Sequence, residues 1–176
     1  TSLIRHCQIS TWEELVAYVH HLPYGRTSDP TDLGLVLRER KGTCSTKHAL
    51  LKKAADENGL EAVELILGMY RMTESNTPGI YPVLTRNDTD AIPEAHCYLK
   101  IEGMRMDLTN PQSDIERIKD DILEEIPIQP EQVGAFKRSY HRNYLRKYKE
   151  EKKFTRSFEQ LWQIREDCIK ALSLTD

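Results

Sequence analysis

The spacing of apolar residues changes twice along the chain and separates three regions. In the first region, apolar residues recur every three or four positions, which is typical of helices that bury one face. Three segments share this period: residues 12–22, 33–37 and 44–58. Thr11 followed by Glu14 is a capping-box pattern, and Thr31 or Asp32 suits the start of the second segment. We therefore predict three helices in the first third of the chain.

The middle region carries short apolar runs that are typical of strands. Three strands are predicted, at residues 63–69, 97–101 and 104–108. Residues 73–93 are rich in Pro, Asn, Asp, Thr and Gly, and they form a longer connection than is usual between strands. Long ordered loops often cover binding sites, so we predict a loop over a cleft there.

Helical spacing returns in the last third of the chain. Three further helices are predicted, at about residues 114–125, 131–153 and 157–172. The order of helices, then strands, then helices favours an α+β fold with an antiparallel sheet. The 176 residues fit one domain, so we treat residues 1–176 as a single unit.

Composition and charge exclude several classes of protein. No apolar run approaches the roughly 18 residues that a membrane-spanning helix requires, so we expect no membrane association. The formal charge of −3 provides no general attraction to nucleic acid. The first residues lack the pattern of a secretory signal, so we expect a cytoplasmic protein with reduced thiols. The cysteines contain no C-x-x-C pair that would indicate zinc: Cys7, Cys44, Cys97 and Cys168.

Candidate chemistry begins at Cys44, which falls on the first turn of a predicted helix behind the suitable N-cap residue Thr43. The unpaired amide groups and the positive dipole end of a helix start stabilise a thiolate. Cys44 is therefore a candidate nucleophile.

A predicted hairpin supplies the partners. If Glu102-Gly103 is a two-residue turn, His96 and Asp107 become diagonal neighbours on one face, close enough for their side chains to form a hydrogen bond. A cysteine nucleophile, a histidine base and an orienting carboxylate form a triad for nucleophilic catalysis. We predict that Cys44, His96 and Asp107 form one.

Four motifs then carry a resemblance to a known family. In chain order they are Gly-Thr-Cys at 42–44, Leu-Gly at 67–68, Ala-His-Cys-Tyr at 95–98 and Arg-Met-Asp-Leu-Thr at 105–109. Together they resemble the transglutaminase-like superfamily over about residues 24–111, leaving a helical extension at about 112–176. The resemblance implies a papain-like core, with the sheet packed on the helix that bears the nucleophile. Many members carry Trp at or near the position after the histidine, where this chain has Cys97.

The resemblance also implies a function. Family members use Cys, His and Asp as a triad, which maps onto Cys44, His96 and Asp107. We expect an enzyme that hydrolyses or transamidates an amide bond in a peptide or protein through a thioester, without a metal or other cofactor. The Cys44 amide is one expected oxyanion donor, and Tyr24 is the candidate for the second. The alternative is a silent papain-like scaffold that serves as a protein-interaction module.

Three other features of the sequence allow a different interpretation. His48 lies one turn after Cys44 and rivals His96 as the base. His20-His21 together with His96-Cys97 suggest a metal site, although adjacent residues point in different directions. The basic residues within 137–156 suggest a polyanion or an acidic partner, but the tyrosines among them favour a helix that packs on the domain with its basic residues solvated. Nothing in the sequence indicates the oligomeric state.

Overall fold

A four-stranded antiparallel sheet with helices organises the protein in the computed structural model, which describes residues 9–172. The helices are α1 (Trp12–His21), α2 (Leu35–Arg38), α3 (Cys44–Glu57), α4 (Tyr81–Arg86), α5 (Ala135–Glu151) and α6 (Phe158–Leu172). The strands are β1 (Val63–Met72), β2 (Ile92–Ile101), β3 (Met104–Met106) and β4 (Ile122–Ile128), in the order β3-β2-β1-β4. Short 3₁₀ turns occur at Ile115–Arg117, Lys119–Asp121 and Pro130–Val133. The predicted α+β class is confirmed.

The predicted starts of α1 and α3 are confirmed in the structure. Thr11 Oγ1 accepts the Glu14 amide at 3.1 Å, and α3 begins at Cys44 behind Thr43. The start of the second helix was predicted wrongly, because α2 begins after Gly34. The Asp32 carboxylate instead accepts the Gly34 amide at 3.0 Å, and this forms a turn ahead of the helix.

The β2–β3 hairpin has the predicted register. Leu99 lies opposite Met106, and Ile101 lies opposite Met104. The turn residues Glu102 and Gly103 both have positive φ, 51° and 81°, as a tight two-residue hairpin turn requires.

The apolar side chains of this hairpin are only partly buried. Met104 is 64% exposed and Met106 is 38% exposed. The physical reason is that α3 packs on β1 and β2, so the outer strand extends past it. The strand β3 also ends at Met106, two residues before its predicted end.

Three other sequence predictions need correction. The predicted long loop at 73–93 contains α4 and the first residues of β2. The strand predicted at 63–69 continues to Met72 because β2 pairs with it along its full length. The helix predicted at 114–125 is instead two 3₁₀ turns followed by β4, an edge strand paired with β1.

The sheet separates two apolar clusters. Ala95, Cys97 and Leu99 of β2 belong to the cluster with residues of α1 and α3. Tyr98 belongs to the other cluster, with residues of α4 and α6. Strand β2 therefore faces a packed core on one side and places His96 on the other side, in line with the two-residue repeat of a strand.

The structure also bears on membrane-spanning helices and on the cysteines. Within residues 9–172, no helix is long and apolar enough to cross a membrane. Cys44, Cys97 and Cys168 are free thiols, while Cys7 lies outside the described residues.

Candidate active site

Cys44 sits at the start of α3 in a rigid setting. Thr43 Oγ1 accepts the Thr46 amide at 3.3 Å, and the Thr43 amide donates to Thr46 Oγ1 at 3.0 Å. On the other side, the Gly42 amide donates to the Pro23 carbonyl at 3.2 Å. Cys44 is 9% exposed and lines a cavity of about 360 Å³. The sulfur is therefore nearly buried but borders an open space.

His96 and Asp107 meet directly and line the same cavity as Cys44. His96 Nε2 donates to Asp107 Oδ2 at 2.8 Å. The other carboxylate oxygen of Asp107 accepts the Thr109 amide at 3.0 Å and the Thr109 hydroxyl at 2.6 Å. These bonds fix the carboxylate and occupy Nε2 of His96, so Nδ1 is the ring nitrogen available for the hydrogen bond between His96 and Cys44.

Gly68 makes room for the Tyr98 side chain of the neighbouring strand. It lies opposite His96 in the β1–β2 ladder. A Cβ atom at Gly68 would lie 2.8 Å from Cε1 of the Tyr98 ring, which is closer than atoms tolerate. The Leu-Gly motif therefore lies within β1, beside His96, rather than at the end of the strand.

The early end of β3 gives the Cys44 sulfur a backbone donor. In an antiparallel ladder, alternate residues of a strand turn their amides toward the same neighbour. Cys97 lies two residues before Leu99 on the edge that faces β3, but β3 pairs with β2 only from Leu99 onward. The Cys97 amide is thus left for the Cys44 sulfur, with which it forms a hydrogen bond.

Electrostatics favour a charged pair of sulfur and imidazole. Burial alone would raise the pKa of Cys44, but the charges of Lys137 and His96, with the hydrogen bonds from His96 and Cys97, lower that pKa to about 6. Burial opposes the charged form of His96, yet Asp107 and Cys44 raise the pKa of His96 well above its usual value. Burial likewise opposes ionisation of Asp107, but His96 holds the pKa of Asp107 well below its usual range. Both shifts favour a thiolate on Cys44 beside an imidazolium on His96.

His48, which rivals His96 as the base on sequence grounds, has a structural role instead. Its Nδ1–H donates to the Cys44 carbonyl at 2.6 Å, and its Nε2 accepts the Leu108 amide at 2.8 Å. Burial lowers the pKa of His48 to about 4, so the ring is neutral. Both ring nitrogens are engaged by backbone groups, so His48 ties α3 to the segment that carries Asp107.

Tyr24 borders the same cavity as Cys44 and is 41% exposed. Its backbone segment forms a parallel bridge with Gly42, which brings it next to the start of α3. Burial, followed by the charge of Cys44, raises the pKa of Tyr24 to about 12, so its hydroxyl keeps its proton. A protonated hydroxyl can donate a hydrogen bond, as an oxyanion donor must.

The structure does not bring the other sequence candidates together. His20 Nε2 contacts the Asn110 carbonyl at 2.9 Å, and His21 Nδ1 contacts the Ala17 carbonyl at 2.7 Å. Neither ring is placed with His96, and residues 9–172 contain no group of three or more His, Cys, Asp or Glu side chains that could hold a metal ion. The tyrosines of α5 pack on the domain as predicted. Tyr140 and Tyr144 are partly buried and pack against the core.

Lys137 is the site residue that the sequence interpretation missed. It was predicted to be a solvated residue of the basic stretch, but its Nζ donates to Ser45 Oγ at 2.6 Å and lies 3.9 Å from Cys44 Sγ. No local pattern distinguishes it from the neighbouring basic residues, because its contact depends on how α5 packs against α3. Lys47 was missed too: its buried ammonium donates to the Leu22 and Thr109 carbonyls.

Comparisons with known proteins add no family assignment. No family model matches the chain, and neither the curated proteins nor the solved structures contain a match. The function of this protein is therefore inferred from its own residues and their geometry.

Proposed function

We propose that this protein is a cysteine-dependent acyl-transfer enzyme of the transglutaminase-like type, with a papain-like core. Its substrate would be an amide bond in a peptide or protein. The observation that carries the proposal is the series of contacts from Asp107 through His96 to Cys44, at a helix start and beside an open cavity.

The first half of the reaction forms a thioester. The Cys44 thiolate attacks the amide carbonyl carbon, and the carbonyl oxygen becomes an oxyanion that faces the Cys44 amide, with Tyr24 as the candidate second donor. His96 gives its proton to the amide nitrogen as the carbon–nitrogen bond breaks. The amine leaves, and the acyl group stays on Cys44 while His96 is neutral.

The second half removes the acyl group. Neutral His96 takes a proton from water, or from a primary amine, as the oxygen or nitrogen attacks the thioester. The carbon–sulfur bond then breaks, and Cys44 leaves as a thiolate while His96 is again protonated. Water yields a carboxylic acid and an amine yields a new amide. Throughout, Asp107 holds the imidazole through Nε2.

Capture of the acyl group on Cys44 tests this proposal. The protein is incubated with peptide, glutamine-donor and activated-ester libraries, quenched in acid and analysed by intact mass and peptide mapping. We expect a mass increase equal to the acyl group, located on Cys44. Added primary amine then separates hydrolysis from transamidation, because only transamidation incorporates the amine into the product.

Two variants control the experiment. Cys44→Ala should abolish the adduct, whereas Cys168→Ser should keep it, because Cys168 is a buried thiol of α6 outside the cavity. An adduct that persists in Cys44→Ala would contradict the proposal. Absence of any adduct across all three libraries would also contradict it and would favour the interaction module.

A further inference from the structure

We propose that Lys137 is a positioning residue of this site, a second counter-ion that holds the Cys44 sulfur as a thiolate without lining the cavity. The inference rests on the proposed function for its catalytic meaning, but the contact itself is independent of any substrate. It would extend the site beyond the family-like core, because Lys137 belongs to the helical C-terminal region.

The position of Lys137 is specific. It is the third residue of α5, and its side chain reaches the first turn of α3, where Nζ donates to Ser45 Oγ at 2.6 Å. Ser45 Oγ in turn lies 3.8 Å from Cys44 Sγ, and Nζ itself lies 3.9 Å from that sulfur. The hydroxyl therefore anchors the ammonium beside the nucleophile.

Lys137 contacts the sulfur but does not line the cavity. Cys44, His96 and Tyr24 line the cavity. Lys137 does not belong to the described residues that line it. A substrate in the cavity would meet the thiolate and the imidazole but not the ammonium. Lys137 is thus suited to act through Cys44 and not by binding substrate.

The charge of Lys137 has no carboxylate partner. Across residues 9–172, its Nζ forms no ion pair with an Asp or Glu. The nearby carboxylate of Glu94 is already engaged by Arg165, through two hydrogen bonds of 2.6 Å. A half-buried ammonium needs a counter-charge to offset its lost hydration, and the anion in contact with Lys137 is the Cys44 thiolate.

The remaining groups around the sulfur do not supply this charge. The titratable groups that interact with Cys44 are Tyr24, Tyr70 of β1, His96 and Cys97 of β2, and Lys137 of α5. Burial raises the pKa of each tyrosine and of Cys97, so these groups are neutral. Asp107 and Glu94 are paired with their own cations, His96 and Arg165, and His48 is neutral. Among residues 9–172, His96 and Lys137 are the cations that lower the pKa of the sulfur.

The two cations differ in one respect that matters for the reaction. His96 loses its charge when it protonates the leaving amine, whereas Lys137 keeps its proton and its charge, because Cys44 raises the pKa of Lys137 despite burial. A permanent cation stabilises the thiolate when it is regenerated from the thioester, so Lys137 would make Cys44 a better leaving group in the second half of the reaction.

The test is the pH dependence of Cys44 alkylation by iodoacetamide, followed by peptide mass mapping, in wild type, Lys137→Met and Lys137→Arg. Removing an opposite charge at this distance should move the midpoint of Cys44 labelling upward by about 1 to 3 pH units. Labelling near pH 6 should then slow by about fivefold or more. Lys137→Arg keeps a cation and should return the midpoint most of the way to that of wild type.

A matched control comes from the same helix. Lys147 is 70% exposed and pairs with Glu151, so Lys147→Met removes the same charge without touching the site. It should leave the midpoint unchanged. Circular dichroism checks folding, and Lys137→Gln, which is neutral but can keep the hydrogen bond to Ser45, replaces Lys137→Met if that variant does not fold.

The outcomes separate the two proposals. A folded neutral variant with the wild-type midpoint would overturn the role of Lys137, as would an equal shift in Lys147→Met. Because alkylation needs no acyl substrate, a shifted midpoint supports this inference even if no thioester is captured. A captured thioester with no shift supports the enzyme and removes Lys137 from its site.

Discussion

His48 and His96 both approach Asp107, but their surroundings favour a neutral ring for His48 and a protonated ring for His96. His96 contacts one carboxylate oxygen at 2.8 Å, while His48 lies 3.9 Å from the other. Both nitrogens of His48 bind backbone groups, one as donor and one as acceptor, and burial lowers its pKa to about 4. His96 faces a carboxylate and a thiol, which raise its pKa well above the usual value despite burial.

The difference shows how hydrogen-bond partners decide the task of a buried histidine. An N–H donor from the backbone requires a neutral ring, because a protonated ring has no acceptor nitrogen. Two anionic neighbours instead favour a protonated ring. Proximity to the nucleophile is thus a poor guide, since His48 is the histidine nearer to Cys44 in sequence. The following variants test the contrast, from the largest expected effect to the smallest.

His96→Gln should cause the largest loss. In the proposed mechanism His96 protonates the leaving amine and activates the second nucleophile, so kcat/KM for a captured acyl donor should fall on the order of 10³-fold. Steady-state kinetics with that donor measure the loss. A decrease of less than about tenfold would show that another group acts as the base.

Asp107→Asn should cause a smaller loss, on the order of 10²-fold in kcat/KM, because orienting carboxylates cost less to replace than the base itself. The amide oxygen can keep the hydrogen bonds from Thr109, but the amide nitrogen would face His96 Nε2 and no longer stabilise the imidazolium. The midpoint of Cys44 alkylation should therefore rise as well. Unchanged kinetics and midpoint would show that Asp107 only anchors the backbone.

His48→Leu should reverse the pattern, with a large effect on stability and a small effect on chemistry. It leaves the Cys44 carbonyl and the Leu108 amide without their partner, so the free energy of unfolding should fall by about 2 to 4 kcal/mol. Urea denaturation measures this change. Below the unfolding transition, kcat/KM should change by less than about tenfold; a loss as large as that of His96→Gln would reassign the base.

The pH dependence of the wild-type protein should reflect the titration of Cys44 and His96 and not that of His48. Cys44 reacts as a thiolate, so its alkylation rate should fall about tenfold per pH unit below about 6, where the sulfur gains a proton. Activity should also fall at alkaline pH, where His96 loses its proton at a value well above 6.5. Because His48 stays neutral above about pH 4, His48→Leu should leave both limbs in place.

The sequence predicted the parts of the site that depend on local structure. The start of α3 at Cys44 follows from Thr43 and the helical spacing after it. The contact between His96 and Asp107 follows from a two-residue turn, because Glu102-Gly103 sets the register over a few residues. In both cases short-range rules decide the geometry.

The parts that were missed depend on contacts between distant segments. β4 contains Pro127 and two adjacent glutamates, a poor strand pattern, and it forms because β1 offers it an edge where proline is tolerated. Lys137 resembles the basic residues around it until α5 is placed against α3. The exposure of Met104 likewise follows from where α3 ends its cover of the sheet, which periodicity does not specify.

The short hairpin also constrains how the protein can evolve. With the two-residue turn kept, one residue added within β3, between Met104 and Arg105, would turn Asp107 to the other face of the ladder, away from His96, since strand side chains alternate. The exposed methionines of β3 would tolerate such an insertion, so the fold would survive while the carboxylate was lost from the histidine. Descendants with a longer β3 would then keep the architecture and lose the contact between Asp107 and His96 in a single genetic step.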